Sequence, residues 1–346
     1  MKLILDKFNL TDEVIDIVEN KTGLINNTYL VTSNIEKYIL QRINKSVFLN
    51  VEEVMKNIDL VTNYLNDLGC PTLEIIKSKK GCLYVFFEGE YWRMFKYIQS
   101  KTFQKVENIS IVSESAKELA RFHKNLHSFN QNLHNTIKDF HNTELVFKTF
   151  KDVLLSAPKY LLEESFELIQ YILTKEKDCK FIQELIAQNK LPLRVCHNDP
   201  KISNFLFDNR LNAICIIDLD TLMFGTILTD IADAVRTICV SETEDEDDLS
   251  KLYFKYDYFE EFINSYLNEN KTQLNFYELN NIVKSIELIF LEQGIRFLTD
   301  YLNRNCYFKV DYEGHNLVRA KNQLHLSKQL ADNKEKLDFI ISKYIK

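Results

Sequence analysis

The chain is short of the two residues that interrupt regular structure, with 7 glycines and 4 prolines in 346 residues. So few breakers exclude collagen-like and low-complexity architectures and leave little material for a flexible linker. It also lacks any C-x-x-C pair among its 7 cysteines, at positions 70, 82, 179, 196, 215, 239 and 306. An odd number without paired spacing argues against a zinc ribbon, a redox pair or a disulfide framework. Runs such as Ala213-Ile214-Cys215-Ile216-Ile217 predict reduced cysteines serving as small core residues. Excess positive charge is missing too: the formal net charge of −7 argues against a nucleic-acid partner. No apolar stretch approaches a membrane span. The start, Met1-Lys2-Leu3-Ile4-Leu5-Asp6-Lys7, breaks its apolar run too early for a secretory leader. A soluble, cytoplasmic protein is the expectation.

What is present is apolar mass, 45% of residues, with 24 Phe and 17 Tyr. That composition and length suit a two-lobed α+β protein. The first part, about residues 1–97, reads as strands with one helix. Strands are expected at Tyr29 to Val31 and Lys37 to Ile43 around the turn Ser33-Asn34, and a hairpin from Leu83–Phe87 to Tyr91–Ile98. Val51, Val54, Met55, Ile58, Val61, Leu65 and Leu68 fall at helical spacing, stopped by Gly69 and Pro71. Residues 98–346 read as mostly helical, with candidates at Ser113–Phe129, Glu144–Leu155, Tyr160–Leu173 and Cys179–Gln188. A β segment interrupts them between Val195 and Ile217, and helix returns from Thr229 onward. The acidic run Glu242 to Asp248 reads as a solvated loop. A ligand site at the junction of the two lobes follows from this order.

The densest chemistry lies in Val195-Cys196-His197-Asn198-Asp199-Pro200-Lys201-Ile202-Ser203-Asn204 and in Ile217-Asp218-Leu219-Asp220. Phe205 to Asp208 can run out as a strand, Asn209 to Asn212 can turn, and Ala213 to Ile217 can run back. Legs of similar length bring Asn204 and Asp218 to the open end of the hairpin, beside the loop that carries Asp199. One carboxylate there can accept a hydroxyl's proton, while Asn204 and Asp218 offer hard oxygen ligands for Mg²⁺. Phosphoryl transfer needs that set, because it asks for positioning and charge neutralisation rather than covalent help. Pro200 biases Asp199 away from helical backbone. His197 is expected to hold the loop rather than to carry protons. His123 and His127, four apart on one helix, have zinc-like spacing but no Glu or Cys beside them, so no metal is expected there.

This segment resembles the catalytic loop and metal-binding hairpin of the aminoglycoside phosphotransferase and choline kinase family. The resemblance implies a two-lobed protein-kinase-like fold, ATP as phosphate donor, Mg²⁺ as cofactor and a small-molecule alcohol as acceptor. Thr229-Asp230-Ile231-Ala232-Asp233 resembles the helix that follows in that family, where the first Asp braces the catalytic loop; Asp230 takes that supporting role. Within the family, Gly23-Leu24-Ile25-Asn26-Asn27-Thr28-Tyr29, Tyr38-Ile39-Leu40-Gln41-Arg42-Ile43-Asn44, Asp218-Leu219-Asp220-Thr221 and Glu292 to Leu302 resemble the N-acetylhexosamine 1-kinases. That implies transfer to the anomeric hydroxyl of an acetylated hexosamine, with Arg296 and Tyr307 touching the sugar beside Asp199. From the residues alone, Arg296 needs a polar partner, which Asp300 four residues on can supply. Tyr307 is by itself an ordinary core aromatic.

Two departures from the family pattern stand out. Gln41 occupies the register where a strand lysine usually grips the phosphates; the neighbouring cation, Arg42, points to the other face of a regular strand and would reach them through a bulge or a shifted register, so both stand as candidate phosphate contacts. The phosphate-covering turn, Gly23 to Asn27, contains a single glycine. Lys96, Tyr97 and Ile98 form the expected hinge whose backbone would meet the adenine. Rival readings are a kinase of homoserine, choline or an aminoglycoside, and a catalytically silent nucleotide-binding protein suggested by the missing lysine. For an aminoglycoside, the run Glu242 to Asp248 offers acidity. Retention of Asp199, Asn204 and Asp218 together weighs against the silent reading.

Overall fold

The computed structural model describes residues 1–20 and 25–345. The smaller lobe contains α1 (Lys2–Leu5), β1 (Val14–Asn20), β2 (Asn27–Ser33), β3 (Lys37–Ile43), α2 (Val51–Asp67), β4 (Val85–Phe87) and β5 (Glu90–Lys96). Its strands form one antiparallel sheet in the order β1-β2-β3-β5-β4. The β-rich pattern of the sequence anticipated this sheet, but not β1, whose residues are mostly exposed and so show little alternation. Alternation sorts β3 between two environments. Leu40 and Tyr38 join Val31, Met94 and the α1 residues Ile4 and Leu5 on the outer face. Ile43 faces the main core with Val54, Met55 and Ile58 of α2.

Helix α2 forms where its spacing predicts. The Asn50 side chain caps it by accepting from the Glu53 N–H, and Gly69 at φ +73° ends it. Asn57, buried in its middle, ties it to the other lobe. Its amide donates to the carbonyls of His134 and Leu222, and its oxygen accepts from the His134 N–H.

The larger lobe holds α3 (Ile109–Leu126), α4 (Thr143–Leu154), α5 (Lys159–Glu164), α6 (Phe166–Thr174) and α7 (Glu176–Ala187). Then come β6 (Arg194–Cys196), β7 (Phe205–Phe207), β8 (Ala213–Ile216) and β9 (Met223–Gly225). The rest is helical: α8 (Ile227–Ile238), α9 (Tyr256–Asn270), α10 (Phe276–Asn280), α11 (Ile282–Leu302), α12 (His315–Asp332) and α13 (Lys334–Ser342). Helix α11, almost wholly buried, packs against α4, α8 and α12 and forms the lobe's axis. The helix expected over Tyr160–Leu173 is two helices, broken at the buried Ser165.

The β segment expected between Val195 and Ile217 proves to be two separate ribbons. β7 pairs with β8, while β6 pairs with β9, a strand beyond the expected segment. The β6–β9 ribbon anchors the start of the loop that holds Asp199. Gly225 is required there, since a Cβ on it would stand 2.7 Å from the Asn198 side-chain oxygen.

The acidic run forms the expected loop, partly open to solvent, but most of its carboxylates are engaged. Glu242 pairs with Lys105, Glu244 with Arg236, and Asp245 with Arg319 and His315. The seven cysteines are free; Cys179, Cys196, Cys215 and Cys239 are buried as expected, whereas Cys82 and Cys306 are exposed. Among the described residues no helix is long and apolar enough to cross a membrane.

Candidate active site

The β7–β8 hairpin brings its two ends together through the Ile217 N–H, which donates to the Asn204 carbonyl at 2.8 Å. Asp218 follows immediately, in left-handed backbone at φ 64°. A cleft between the lobes is lined on one side by Asp199, Lys201, Asp218, Asp220 and Thr221, and on the other by Ile25, Asn26, Thr28, Gln41 and Phe48.

The loop before the hairpin is held from below by α8. Both oxygens of the buried Asp230 carboxylate accept backbone N–H bonds, from His197 and Asn198, each at 2.7 Å. His123 reaches the same carboxylate at 2.9 Å and Tyr266 through its other nitrogen, so this histidine braces the loop with both ring nitrogens engaged. Thr237, nearly two turns further along α8, accepts from the Ile202 N–H. Both nitrogens of His197 are engaged, one with the Ile217 carbonyl and the other with the Asp199 N–H. A carbonyl cannot donate, so the first nitrogen carries the proton and the second accepts.

Lys201 is a site residue the sequence reading passed over. Its Nζ donates to Asp199 Oδ2 at 2.8 Å. Burial would raise the Asp199 pKa, but the Lys201 charge beside it holds the carboxyl below its ordinary range. Burial would lower the Lys201 pKa; the carboxylates of Asp199 and Asp218 raise it instead. Asp218 has its pKa raised to about 6, first by burial and then by the charge of Asp220. The Asn204 amide nitrogen donates to the Asp199 carbonyl, so its oxygen is the end left for a cation. Asn204 and Asp218 are a two-oxygen donor set. That fits Mg²⁺, which binds through few protein oxygens and completes its shell with water and phosphate. It does not fit zinc, and among the described residues no group of three His, Cys, Asp or Glu gathers as a metal site.

On the small-lobe side, Gln41 and Thr28 line the cleft and bond each other at 3.1 Å. The β2–β3 register runs without a bulge, so Arg42 stays on the outer face, where its guanidinium bonds the Asn27 side chain at 2.8 Å. Arg42 and Asn27 therefore both lie away from the cleft. Gly23 lies outside the described residues. At the hinge, the Lys96 and Tyr97 N–H groups donate to the carbonyls of Glu74 and Lys37. The Lys96 side chain turns outward to Glu36. Ile98 is the one of the three whose N–H no described group accepts.

A second set of residues ties the Asp199 loop to α11. The buried His141 bonds the Asn198 carbonyl with one nitrogen and Glu292 with the other, both at 2.8 Å. Glu292 also accepts from Thr143. Burial opposes a charge on His141, but Glu292, the Asn198 carbonyl and Asp233 raise its pKa. Because the folded pKa lies above the ordinary 6.5, the stability it contributes is complete below that value and is lost as pH rises through the raised pKa. The urea midpoint should fall as pH is raised across that range, and fall less in His141→Gln; parallel pH dependences in the two proteins would refute the assignment.

One turn beyond Glu292, Arg296 bonds Gln293 and lies over the rings of Phe140, Tyr307 and Phe308 at 5.6, 6.0 and 5.4 Å. The expected Arg296–Asp300 pair does not form. Asp300 instead accepts the N–H groups of Tyr307 and Phe308 and the Asn316 amide, and so shapes the loop after α11. Nor is Tyr307 a core aromatic, being 54% exposed.

A small sheet, a helical lobe and a carboxylate–lysine–carboxylate cleft between them define a small-molecule kinase of protein-kinase-like fold. The chain belongs to the phosphotransferase enzyme family, whose model matches residues 16–261, and is a phosphotransferase with an alcohol acceptor. Solved structures agree on the fold. A microcompartment-associated aminopropanol kinase superposes with a TM-score of 0.64 at 12% identity, with 97% of each chain covered. A spectinomycin phosphotransferase crystallised with ADP and spectinomycin gives 0.59 at 12% identity, again with 97% of each covered. Choline kinase from Cryptosporidium parvum Iowa II gives 0.58 at 16% identity, covering 95% of this chain and 93% of that one.

Proposed function

We propose that the chain transfers the γ-phosphate of ATP to the anomeric hydroxyl of an N-acetylhexosamine, giving the sugar 1-phosphate. The observation that carries a neutral acceptor is the position of Arg296. The aromatic cluster of Phe140, Tyr307 and Phe308 is the kind of box that holds an ammonium group, and here the chain's own guanidinium fills it. The cluster adjoins the catalytic loop through His141, the residue after Phe140. The acidic run, the other feature that would draw a polycation, has all of its carboxylates but Asp247 paired with cations. A choline or aminoglycoside acceptor thus finds the box filled and the run largely paired. The fold does not choose among acceptors, since the similar structures are named for aminopropanol, spectinomycin and choline.

In this mechanism the acceptor hydroxyl lies against Asp199 Oδ1, the oxygen not bonded by Lys201. Its proton passes to that carboxylate as the acceptor oxygen bonds the γ-phosphorus and the bond to the β-phosphate oxygen breaks, releasing ADP. Lys201, between Asp199 and Asp218, faces the negative charge in transfer. Asn204 and Asp218 would hold Mg²⁺, which when bound would supply charge neutralisation on the phosphates. The Ile98 N–H and neighbouring hinge backbone receive the adenine. Arg296 donates to the sugar's oxygens, with Tyr307 against its ring.

ATP consumption with Mg²⁺ against N-acetylglucosamine, N-acetylgalactosamine, glucose, homoserine, choline and kanamycin tests this directly. Turnover confined to acetylated sugars, with an acid-labile product phosphate, is expected. Turnover confined to choline or kanamycin would overturn the neutral-acceptor argument. Arg296→Ala should raise the sugar KM by about tenfold or more, the loss of a hydrogen bond from a charged group, and leave the ATP KM in place. A change confined to ATP would misplace the acceptor pocket.

A further inference from the structure

Gln41 leaves the cleft face of β3 without a cation, yet the cation is present one strand away. Arg93 of β5 is the direct cross-strand partner of Gln41. It is 1% exposed, the largest fully buried side chain among the described residues. Its Nε donates to Gln41 Oε1 at 2.9 Å. Its two terminal nitrogens grip both oxygens of Asp220, two residues after Asp218 in the other lobe. Helix α2 supplies no acid to this group: Met55 is what it places against Arg93. Glu52 instead pairs with Lys56 in solvent, and Glu53 faces His134. Asp220 is completed by the Asn26 amide at 2.8 Å, and Asn26 in turn accepts from the Asn44 N–H. Gln41, Asn26 and Asp220 all line the cleft; Arg93 lies behind them.

We infer that this chain divides the work of a phosphate-gripping strand lysine between two residues, with Gln41 touching the nucleotide phosphates and Arg93 acting behind it as a positioning residue. The inference rests on the cleft being the nucleotide site. Arg93 takes the amide oxygen of Gln41, which fixes the flip of the carboxamide and leaves its NH₂ toward Thr28 and the cleft. The ion pair that a kinase-like fold would close within its small lobe is here closed between lobes, from β5 to the loop carrying Asp218. Nucleotide grip and metal-ligand placement are thereby joined through one guanidinium.

The arrangement gives an outcome opposite to simple restoration. Gln41→Lys reinstates the missing lysine, but sets an ammonium at hydrogen-bonding distance from Arg93 with Asp220 already engaged. The test is titration of wild type, Gln41→Ala, Gln41→Lys and Gln41→Lys/Arg93→Gln with MgADP, alongside KM values for ATP and acceptor. Gln41→Ala should weaken MgADP by about tenfold, one hydrogen bond to a charged group, with the acceptor KM unmoved. Gln41→Lys alone should also weaken it, and adding Arg93→Gln should recover most of the loss by freeing Asp220 for the introduced ammonium. Unchanged affinity in Gln41→Ala, or tighter binding in Gln41→Lys with Arg93 intact, would overturn the inference. If the double variant fails to fold, these two single variants decide alone. Wild type that binds no MgADP would instead remove the nucleotide-site reading itself.

Discussion

Asp199→Asn is expected to lower kcat by roughly 10² to 10⁴, the range of a lost general base, while MgADP affinity changes little. The substitution keeps the shape of the side chain and its contact with Lys201 at 2.8 Å. It removes the capacity to take a proton together with the negative charge that faces Lys201. The loop itself should not move, because Asp230 holds the N–H groups of residues 197 and 198 and His197 fixes the Asp199 N–H. Single-turnover rates with saturating ATP, set beside a nucleotide titration, separate the two effects. A variant that turns over at the wild-type rate would remove Asp199 as the base. Parallel loss of turnover and nucleotide affinity would mean that the loop had collapsed instead.

The second large effect is expected in stability. Asp220→Ala should cost about 3–5 kcal/mol, the range for breaking a buried ion pair by removing one partner. It leaves the Arg93 guanidinium buried with only Gln41 and Met55 as neighbours to bond, and the Asn26 amide loses its acceptor. The cost comes from an unpaired charge in a low-dielectric interior. Removing both members, as Arg93→Met/Asp220→Leu, should therefore cost much less than the single change. Urea unfolding of the single and paired variants measures this. A single variant within about 1 kcal/mol of wild type would show that solvent reaches the guanidinium, as it does at surface pairs. The paired variant should still bind MgADP weakly, since its Gln41 has lost its orienting partner.

How far the sequence could be read depends on which contacts are local. The helix Val51–Asp67 was legible because its apolar face and the Gly69 stop lie within one short segment. The meeting of Asn204 and Asp218 was legible for the same reason, since a hairpin with short legs leaves its ends nowhere else to go. Strand β1 was not: a mostly exposed edge strand whose register shifts between Val14 and Asp16 carries no clean alternation to detect. The pairing of the acidic run was missed because two of its partners, Lys105 and Arg319, come from distant parts of the chain and the third, Arg236, from the preceding helix. Arg296 and Asp300 satisfy helical spacing, yet the backbone N–H groups of the following loop capture the aspartate first.

Lys201 stood in plain view two residues after Asp199, and its role needed only the question of what neutralises a buried carboxylate. Arg93 left a fainter signal, a charge at an inward position of a central strand between Tyr91 and Phe95. Nothing in the sequence marks His141, whose partners are a backbone carbonyl and a carboxylate 151 residues away.

The sequence by itself determined the fold class, the loop and hairpin that gather Asp199, Asn204 and Asp218, and hence the reaction type. Those features depend on side-chain period and turn chemistry over a dozen residues, where geometry allows few alternatives. Only the tertiary structure decided that Gln41 rather than Arg42 faces the cleft, that Arg93 and Asp220 join the lobes, and that Arg296 fills its own aromatic box. Each of those rests on which groups separated by tens or hundreds of residues come within 3 to 6 Å. Charge pairing and cation–π contact depend steeply on such distances, and no local pattern encodes them.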